Sequence, residues 1–372
     1  MESDAATYLP WFILREIPFL GNLGINRIIQ AFGSPEKALA TPPDALKKVP
    51  GISRKSLDGI LHQKKYIQAA QRELQQITQL GITILTLNDA GFPKLLKTIP
   101  DPPPILTCQG TLDPHDPCIA IVGSRDASSY GMDTARHLAR SLAGMGFSIV
   151  SGMARGIDTA AHQGALSAAG KTIAVLGSGL KKIYPWENRE LFYKIQKSGA
   201  VISEFKLDTD PYPYNFPVRN RIIAGLSCGT IVVEAKKRSG SLITARLAAE
   251  YNREVFAVPG SIRSLKSQGT HSLLKQGAKL VENETDVVNE LAHLVHLETQ
   301  SDEPRQALEP GPVTGRFKKQ IIQLLDVYPQ HIDQIIETSR MDSNVVSAIL
   351  LELELQGVVK HHPGNYFSIV KE

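Results

Sequence analysis

Residues 119–125 read IAIVGSR, and residues 147–162 read FSIVSGMARGIDTAAH. The apolar run Ile119–Val122 stops at Gly123-Ser124-Arg125, and the run Phe147–Val150 stops at Ser151-Gly152. A segment of helical character lies between them, and Gly156-Ile157-Asp158 opens another helix. Two consecutive apolar strands thus end in small residues and lead into helices. Doubly wound sheets aim backbone N–H groups at a phosphate in this way. Arg125 and Arg155 in these turns carry the planar fork that suits phosphate better than lysine's point charge.

The same alternation extends on both sides. Apolar runs at Thr83–Leu87, Thr172–Val175, Ala200–Ile202, Thr230–Val233, Glu254–Ala257 and Lys279–Val281 are separated by helical stretches such as Met132–Met145 and Ser241–Tyr251. Short strands alternating with helices predict an α/β fold, a doubly wound and mostly parallel sheet with helices on both faces, over residues 76–295. Residues 1–75 predict a helical domain. Its Lys48-Val49-Pro50-Gly51-Ile52-Ser53 is similar to the hairpin of a helix-hairpin-helix (SAM-like) unit, and reads equally as a plain helix connector. Residues 296–314 contain TQSDEPRQALEPGP, a proline-rich linker with little to bury. Beyond it, over 315–372, three helical patterns (Phe317–Val327, Ile332–Thr338, Asn344–Gln356) and a hairpin around His362–Asn365 fit a winged helix. The third helix carries Glu352 and Glu354 and no Lys or Arg between Asp342 and Gln356, so a poor duplex reader is expected.

Charge narrows the ligand. The chain totals +4, but Ile119 to Val281 holds 22 Lys and Arg against 11 Asp and Glu, a net of +11 that leaves −7 elsewhere. A basic block in a near-neutral protein suggests a polyanionic partner, a solvated surface being the plainer alternative. Cys108, Cys118 and Cys228 show no metal-ligand spacing, which fits a reducing cytoplasm. Acidic Glu2 and Asp4 argue against a signal peptide, and no 18-residue apolar stretch predicts a membrane span. No GxxxxGK[ST] loop or metal cluster is present, so no cofactor is expected.

Three more segments carry the pattern. Gly177-Ser178-Gly179 precedes Lys181 and Lys182, with Tyr184-Pro185-Trp186 close by. Tyr212-Pro213-Tyr214-Asn215-Phe216-Pro217-Val218-Arg219-Asn220-Arg221 interleaves aromatics with arginines, the combination that stacks unpaired bases and holds the backbone between them. Phe216 could equally plug the core. Arg219 and Arg221 share one side if the segment is extended. Lys236-Lys237-Arg238 precedes Ser239-Gly240-Ser241, where a helix starts and an anion is favoured. Asp158 reads as a helix cap and His162 as a packing residue.

Taken together, GSR (123–125), SGMARGID (151–158), GSG (177–179), YP (184–185), SE (203–204), FPVRNRIIAGLS (216–227), EAKKRSGSLITA (234–245) and VPGSI (258–262) closely resemble the DprA family of bacterial DNA-processing proteins, over about 80–290. The resemblance implies an extended Rossmann fold and a dimer that binds single-stranded DNA. It also implies protection of incoming DNA, displacement of single-strand-binding protein and loading of the recombinase RecA in natural transformation. It makes Arg125 the prime DNA contact, with further contacts from the loops at 181–186 and 212–221. Together with the strand ends read above, the expected DNA contacts are Gly123, Ser124, Arg125, Ser151, Gly152, Arg155, Lys181, Lys182, Trp186, Tyr214, Phe216, Arg219, Asn220, Arg221, Lys236, Ser239, Gly240 and Ser241. It puts His271, Leu274 and Leu280 at the dimer contact. Some relatives carry lysine directly after YP, where this chain has Trp186; Lys181 or Lys182 could compensate, or Trp186 could stack on a base. A non-enzyme is expected. The competing reading is a nucleotide-processing phosphoribohydrolase, with Asp158, Glu204 and Glu234 as acids. Against it, Gly229-Thr230 and Glu234 lack the preceding PGG of that signature.

Overall fold

The computed structural model describes residues 2–292 and, with short gaps, 318–369. The chain divides into Met1–Leu297 and Glu298–Glu372. The linker expected at 296–314 lies outside the described residues.

Helices α1 (Glu2–Glu16), α2 (Gly21–Phe32), α3 (Pro35–Ala40), α4 (Pro43–Leu46), α5 (Arg54–Leu61) and α6 (Ile67–Gln79) open the first unit. The elements β1 (Thr83–Thr86), α7 (Lys94–Lys97), β2 (Ile105–Gly110), β3 (Cys118–Val122), α8 (Ser129–Gly144), β4 (Ser148–Ser151), α9 (Ile157–Ser167) and β5 (Thr172–Val175) follow. Then come α10 (Arg189–Ser198), β6 (Ala200–Ser203), α11 (Asn215–Leu226), β7 (Gly229–Val232), α12 (Ser241–Glu250), β8 (Glu254–Ala257), α13 (Gln268–Lys275), β9 (Lys279–Leu280) and α14 (Glu284–Leu291). The strands form one sheet in the order β1-β2-β6-β5-β4-β3-β7-β8-β9. From β6 to β9 every pairing is parallel, whereas β1–β2 and β2–β6 are antiparallel.

Period-two alternation sends β3 side chains to opposite faces. Ile119 and Ile121 pack with Leu138 and Leu142 of α8 and Ala161 of α9. Ala120 and Val122 pack with Ile222 and Ile223 of α11. Both faces of these strands are buried, which is why they read as continuous apolar runs. Burial of each such Ile or Val contributes about 1.5–3 kcal/mol.

The structure departs from expectation in three places. First, Trp11, Phe12 and Ile28 share one core with Ile84, Ile105, Leu176 and Phe192. The boundary drawn at 75/76 therefore separates elements and not compact units. Second, β2 was not foreseen. Its apolar run follows Pro102-Pro103-Pro104, which reads locally as a rigid connector, and its strand character rests on pairing with β1 and β6. Third, residues from Asn215 onward are helical. Pro217 sits in the first turn of α11, where a missing N–H breaks no intrahelical bond.

The second unit contains helical residues 320–324 (α15), β10 (Gln330–His331), α16 (Ile332–Ser339), α17 (Ser343–Leu355), β11 (Val359–His362) and β12 (Tyr366–Ile369). Its three strands run β10-β12-β11. Ile321, Ile335, Val346, Leu350 and Phe367 make a core of their own. This is the helices-plus-wing plan expected from the sequence.

Candidate nucleic-acid interface

Strand order reverses between β3 and β7. From β3 the chain winds outward through β4, β5 and β6, then returns to lay β7 on the other side of β3. Ligands of such sheets sit outside the carboxyl ends at the reversal. Here that place is a cavity of about 520 Å³, lined by Ser124 and Arg125 after β3, and by Lys236, Arg238, Ser239 and Ser241 after β7. Phe216, Arg219 and Asn220 of α11 and Asp158 of α9 complete its wall. A second hollow of about 280 Å³ continues past Arg125 to Arg155, Tyr184 and Phe216.

Phe216 organises this edge. The Arg125 guanidinium lies 4.9 Å from its ring centroid and that of Arg219 lies at 5.9 Å. Tyr184 packs on the same ring at 5.7 Å. The two arginines differ in kind. Arg219 is 3% exposed and donates to the carbonyls of Gly152, at 2.7 Å, and Val175. It thereby caps the ends of β4 and β5, and glycine at 152 leaves the space its guanidinium fills. Burial pushes Arg219 down to about 10, and the nearby Arg125 charge adds to the fall while Asp158 opposes it. Arg125 is exposed and has no ion-pair partner among the described residues. Arg125, Arg219, Arg238 and Lys236 against the carboxylates of Asp126 and Asp158 leave the cavity short of negative charge, which an anion would supply.

Asp158 does not cap a helix starting at Thr159. The helix α9 begins at Ile157, behind Gly156 at φ 74°, which brings its Cα against the backbone of Ser124 and Arg125. Asp158 instead accepts from the Ala154 N–H at 3.2 Å. Burial raises its carboxyl above the ordinary range, opposed by Arg219. His162 is fully buried, its Nδ1 2.7 Å from Thr172 Oγ1. Burial and, secondarily, Arg219 lower it to about 3. Its folded value lies below its unfolded one, so its contribution is present above about pH 6.5 and is lost as pH falls toward 3. We predict that His162→Gln removes one proton from the acid limb of urea-unfolding stability, a slope of about 1.4 kcal/mol per pH unit.

The remaining expected residues divide plainly. Gly123 stands at the strand end beside the cavity, and Gly240 opens α12. Asn220 donates to the Gly240 carbonyl at 3.3 Å, which ties α11 to the α12 turn. Trp186 is 65% exposed with Arg189 4.8 Å over its ring, and Tyr214 is 67% exposed and stacked on Tyr212. Arg155 pairs with Glu187 at the surface. Lys181 pairs with Asp208 at 2.8 Å and Lys182 with Asp210 at 3.2 Å, exposed pairs that are weak in water.

Two expectations are corrected. Ser151 turns its hydroxyl into the sheet, donating to the Ile121 carbonyl at 2.7 Å. Arg221 does not share a side with Arg219. In a helix, residues two apart point about 200° from each other, and Arg221 pairs with Glu204 and, at 3.1 Å, with Asp101, away from the cavity. Asp158 and Arg238 line the cavity without having been singled out as contacts; the basic run before Ser239 was the signal for Arg238.

Of the three acids of the competing reading, Asp158 stands in the cavity wall and the other two are engaged in structural contacts. Glu234 accepts from the Ser128 N–H at 2.9 Å and from its hydroxyl at the start of α8. Glu204 is paired as above. Among the described residues no group of three or more His, Cys, Asp or Glu is placed to hold a metal ion, and no helix is long and apolar enough to cross a membrane.

The family model described as DNA recombination-mediator protein A matches residues 83–292, which contain this whole edge. The chain belongs to the DprA family. A DprA winged helix domain model matches 296–365. The chain is 35% identical to Protein Smf of a Synechocystis strain over 394 residues, covering 97% of this chain and 98% of that protein. It is similar to the X-ray structure of DprA from Streptococcus pneumoniae, at TM-score 0.68 and 36% identity over 76% of this chain and 98% of that one. It is also similar to Helicobacter pylori DprA, whose structure was described for its single-stranded DNA binding mode, at TM-score 0.52 and 33% identity over 58% and 97%. In this DprA-family chain the expected dimer residues lie toward one end of the sheet. His271 bonds the Gly260 carbonyl at 3.0 Å, Leu274 is half-buried, and Leu280 is 47% exposed on the edge strand β9.

Proposed function

We propose that this chain binds single-stranded DNA along the carboxyl edge of its sheet, protects incoming strands and loads RecA onto them in natural transformation. The observation that carries this reading is the Arg125–Phe216–Arg219 stack at the strand reversal, with exposed aromatics beside it. A cofactor pocket would enclose one nucleotide. This edge continues instead from Ser239 past Phe216 to Arg155, and its exposed Tyr184, Trp186, Tyr212 and Tyr214 are faces on which unpaired bases can stack. Protein contacts then follow the family: RecA, single-strand-binding protein, and a homodimer through His271, Leu274 and Leu280. Three free thiols fit a cytoplasmic setting.

Trp186 supplies the test. The chain has two tryptophans, and Trp11 is 4% exposed. Quenching of fluorescence on adding single-stranded DNA therefore reports Trp186. We predict that Trp186→Ala weakens single-strand binding by about 1–3 kcal/mol, while duplex of equal length binds poorly to both proteins. Equal affinity for duplex and single strand would contradict the reading.

A further inference from the structure

The hairpin between α4 and α5 takes no part in the edge described above, yet its surface has the composition of a binding site. We propose that it forms, with the α1–α2 turn, a second contact for single-stranded nucleic acid, in which Phe19 stacks on a base and the surrounding cations hold phosphates. The inference rests on the single-strand reading above and extends it to the helical part of the first unit.

Two segments distant in sequence are joined here by specific contacts. Arg27 of α2 lies across the hairpin and donates to the Pro50 carbonyl at 3.3 Å. Gly51, at φ 77°, gives it room, since a Cβ there would collide with the guanidinium. At the other end the Lys55 ammonium sits 4.9 Å from the Phe19 ring centroid. Beneath, Ile52 points toward Gly24, its Cδ1 3.6 Å from where a Cβ there would stand.

Phe19 is the telling residue. It is 73% exposed and holds φ at 62°, a conformation that bulky L-residues rarely adopt. The turn therefore keeps a large aromatic in solvent at the expense of backbone comfort. Leu23, 49% exposed, continues the apolar strip toward Arg27.

The cations are available. Arg27, Lys48, Arg54 and Lys55 are all exposed, and none forms an ion pair among the described residues, while the neighbouring Asp44 pairs with Lys47 and the Asp58 carboxylate lies against the His62 ring. Four exposed cations on the hairpin and α2, one of them against the exposed Phe19 ring, match the platform-and-backbone chemistry of single-strand binding. A duplex offers phosphates but no unpaired base for Phe19, which is why single strand is the assigned occupant.

The test uses the full chain and oligodeoxythymidine of two lengths, a short tract that fills the sheet edge and a tract several times longer. Phe19→Ala/Lys55→Gln is expected to bind the short tract like wild type and the long tract about tenfold more weakly. Arg27→Gln/Arg54→Gln is expected to lower the salt slope for the long tract by roughly 0.7 per lost phosphate contact. Melting temperature monitors the fold, and Phe19→Gly, which suits the positive φ, should melt no lower than wild type. Unchanged long-tract affinity in Phe19→Ala/Lys55→Gln, while Arg125→Ala still weakens both tracts, would overturn this proposal alone. Absence of single-strand binding by the wild type would overturn it together with the function on which it rests.

Discussion

Arg125→Ala is expected to weaken single-stranded DNA binding by an order of magnitude or more, with the melting temperature unchanged. The two halves of this result have separate causes. Arg125 is exposed, stacks on Phe216 from the solvent side and pairs with no acid among the described residues, so the fold does not lean on it. It stands at the end of β3, where the α12 amino terminus and Arg219 also face the cavity. Its free fork is the group best placed to take a phosphate in two hydrogen bonds. Removing it should also flatten the dependence of log K on log salt by roughly 0.7, the signature of one fewer phosphate neutralised on a single strand. Arg125→Lys should recover the salt slope more fully than the affinity, because lysine restores charge without the fork. Lys181→Ala, whose charge Asp208 already offsets, should change little by comparison. Anisotropy titrations across a salt series check all three.

Arg221→Ala is expected to act on the fold. The Arg221 and Glu204 side chains are 7% and 5% exposed. Asn22 of α2 donates to the same carboxylate at 2.6 Å, and Asp101 holds the guanidinium at 3.1 Å. Breaking one half of a buried pair typically costs about 3–5 kcal/mol, because the other charge stays behind. That is a large share of a domain's total stability of about 5–15 kcal/mol. Burial already lifts the Glu204 carboxyl above its ordinary range, with Arg221 opposing. A carboxyl raised in the folded state binds its proton more tightly there, so its contribution is retained at low pH and lost as pH rises. Without Arg221 the lift grows. The deficit of Arg221→Ala should therefore be larger at pH 8 than at pH 5, and Arg221→Ala/Glu204→Gln should recover much of it. Urea unfolding of the two single variants and the double at both pH values measures this coupling.

Much of this was legible from residues 119–162 because a parallel sheet buries both faces of its strands. An apolar run that stops at glycine or serine then marks a strand end without further context. The expected strands all appear in the structure, to within a residue or two. Strand order is not local information, and so the reversal between β3 and β7, which decides which strand ends share a cavity, came from the fold. The sequence left open whether 212–221 is extended; in the structure Pro217 falls in the first turn of a helix, where proline is tolerated. With that helix in place Arg219 and Arg221 part company, one toward the β4 and β5 ends, the other toward Glu204. Sequence shows two arginines beside aromatics; only the partner found across 17 residues shows that Arg221 holds α11 in place. Ser151 is similar. Its position at a strand end suggested a ligand contact, and the parity of the strand turned it inward.

The measurement that bears most directly on the carboxyl-edge site is photo-cross-linking of the full chain to a single strand carrying 5-iododeoxyuridine, with the modified residues mapped by mass spectrometry. Cross-links at Tyr184, Trp186, Tyr214 or Phe216 that disappear in Arg125→Ala are the predicted result. Cross-links confined to the opposite, amino-terminal edge around Asp113–Cys118, with none between 184 and 216, would contradict it.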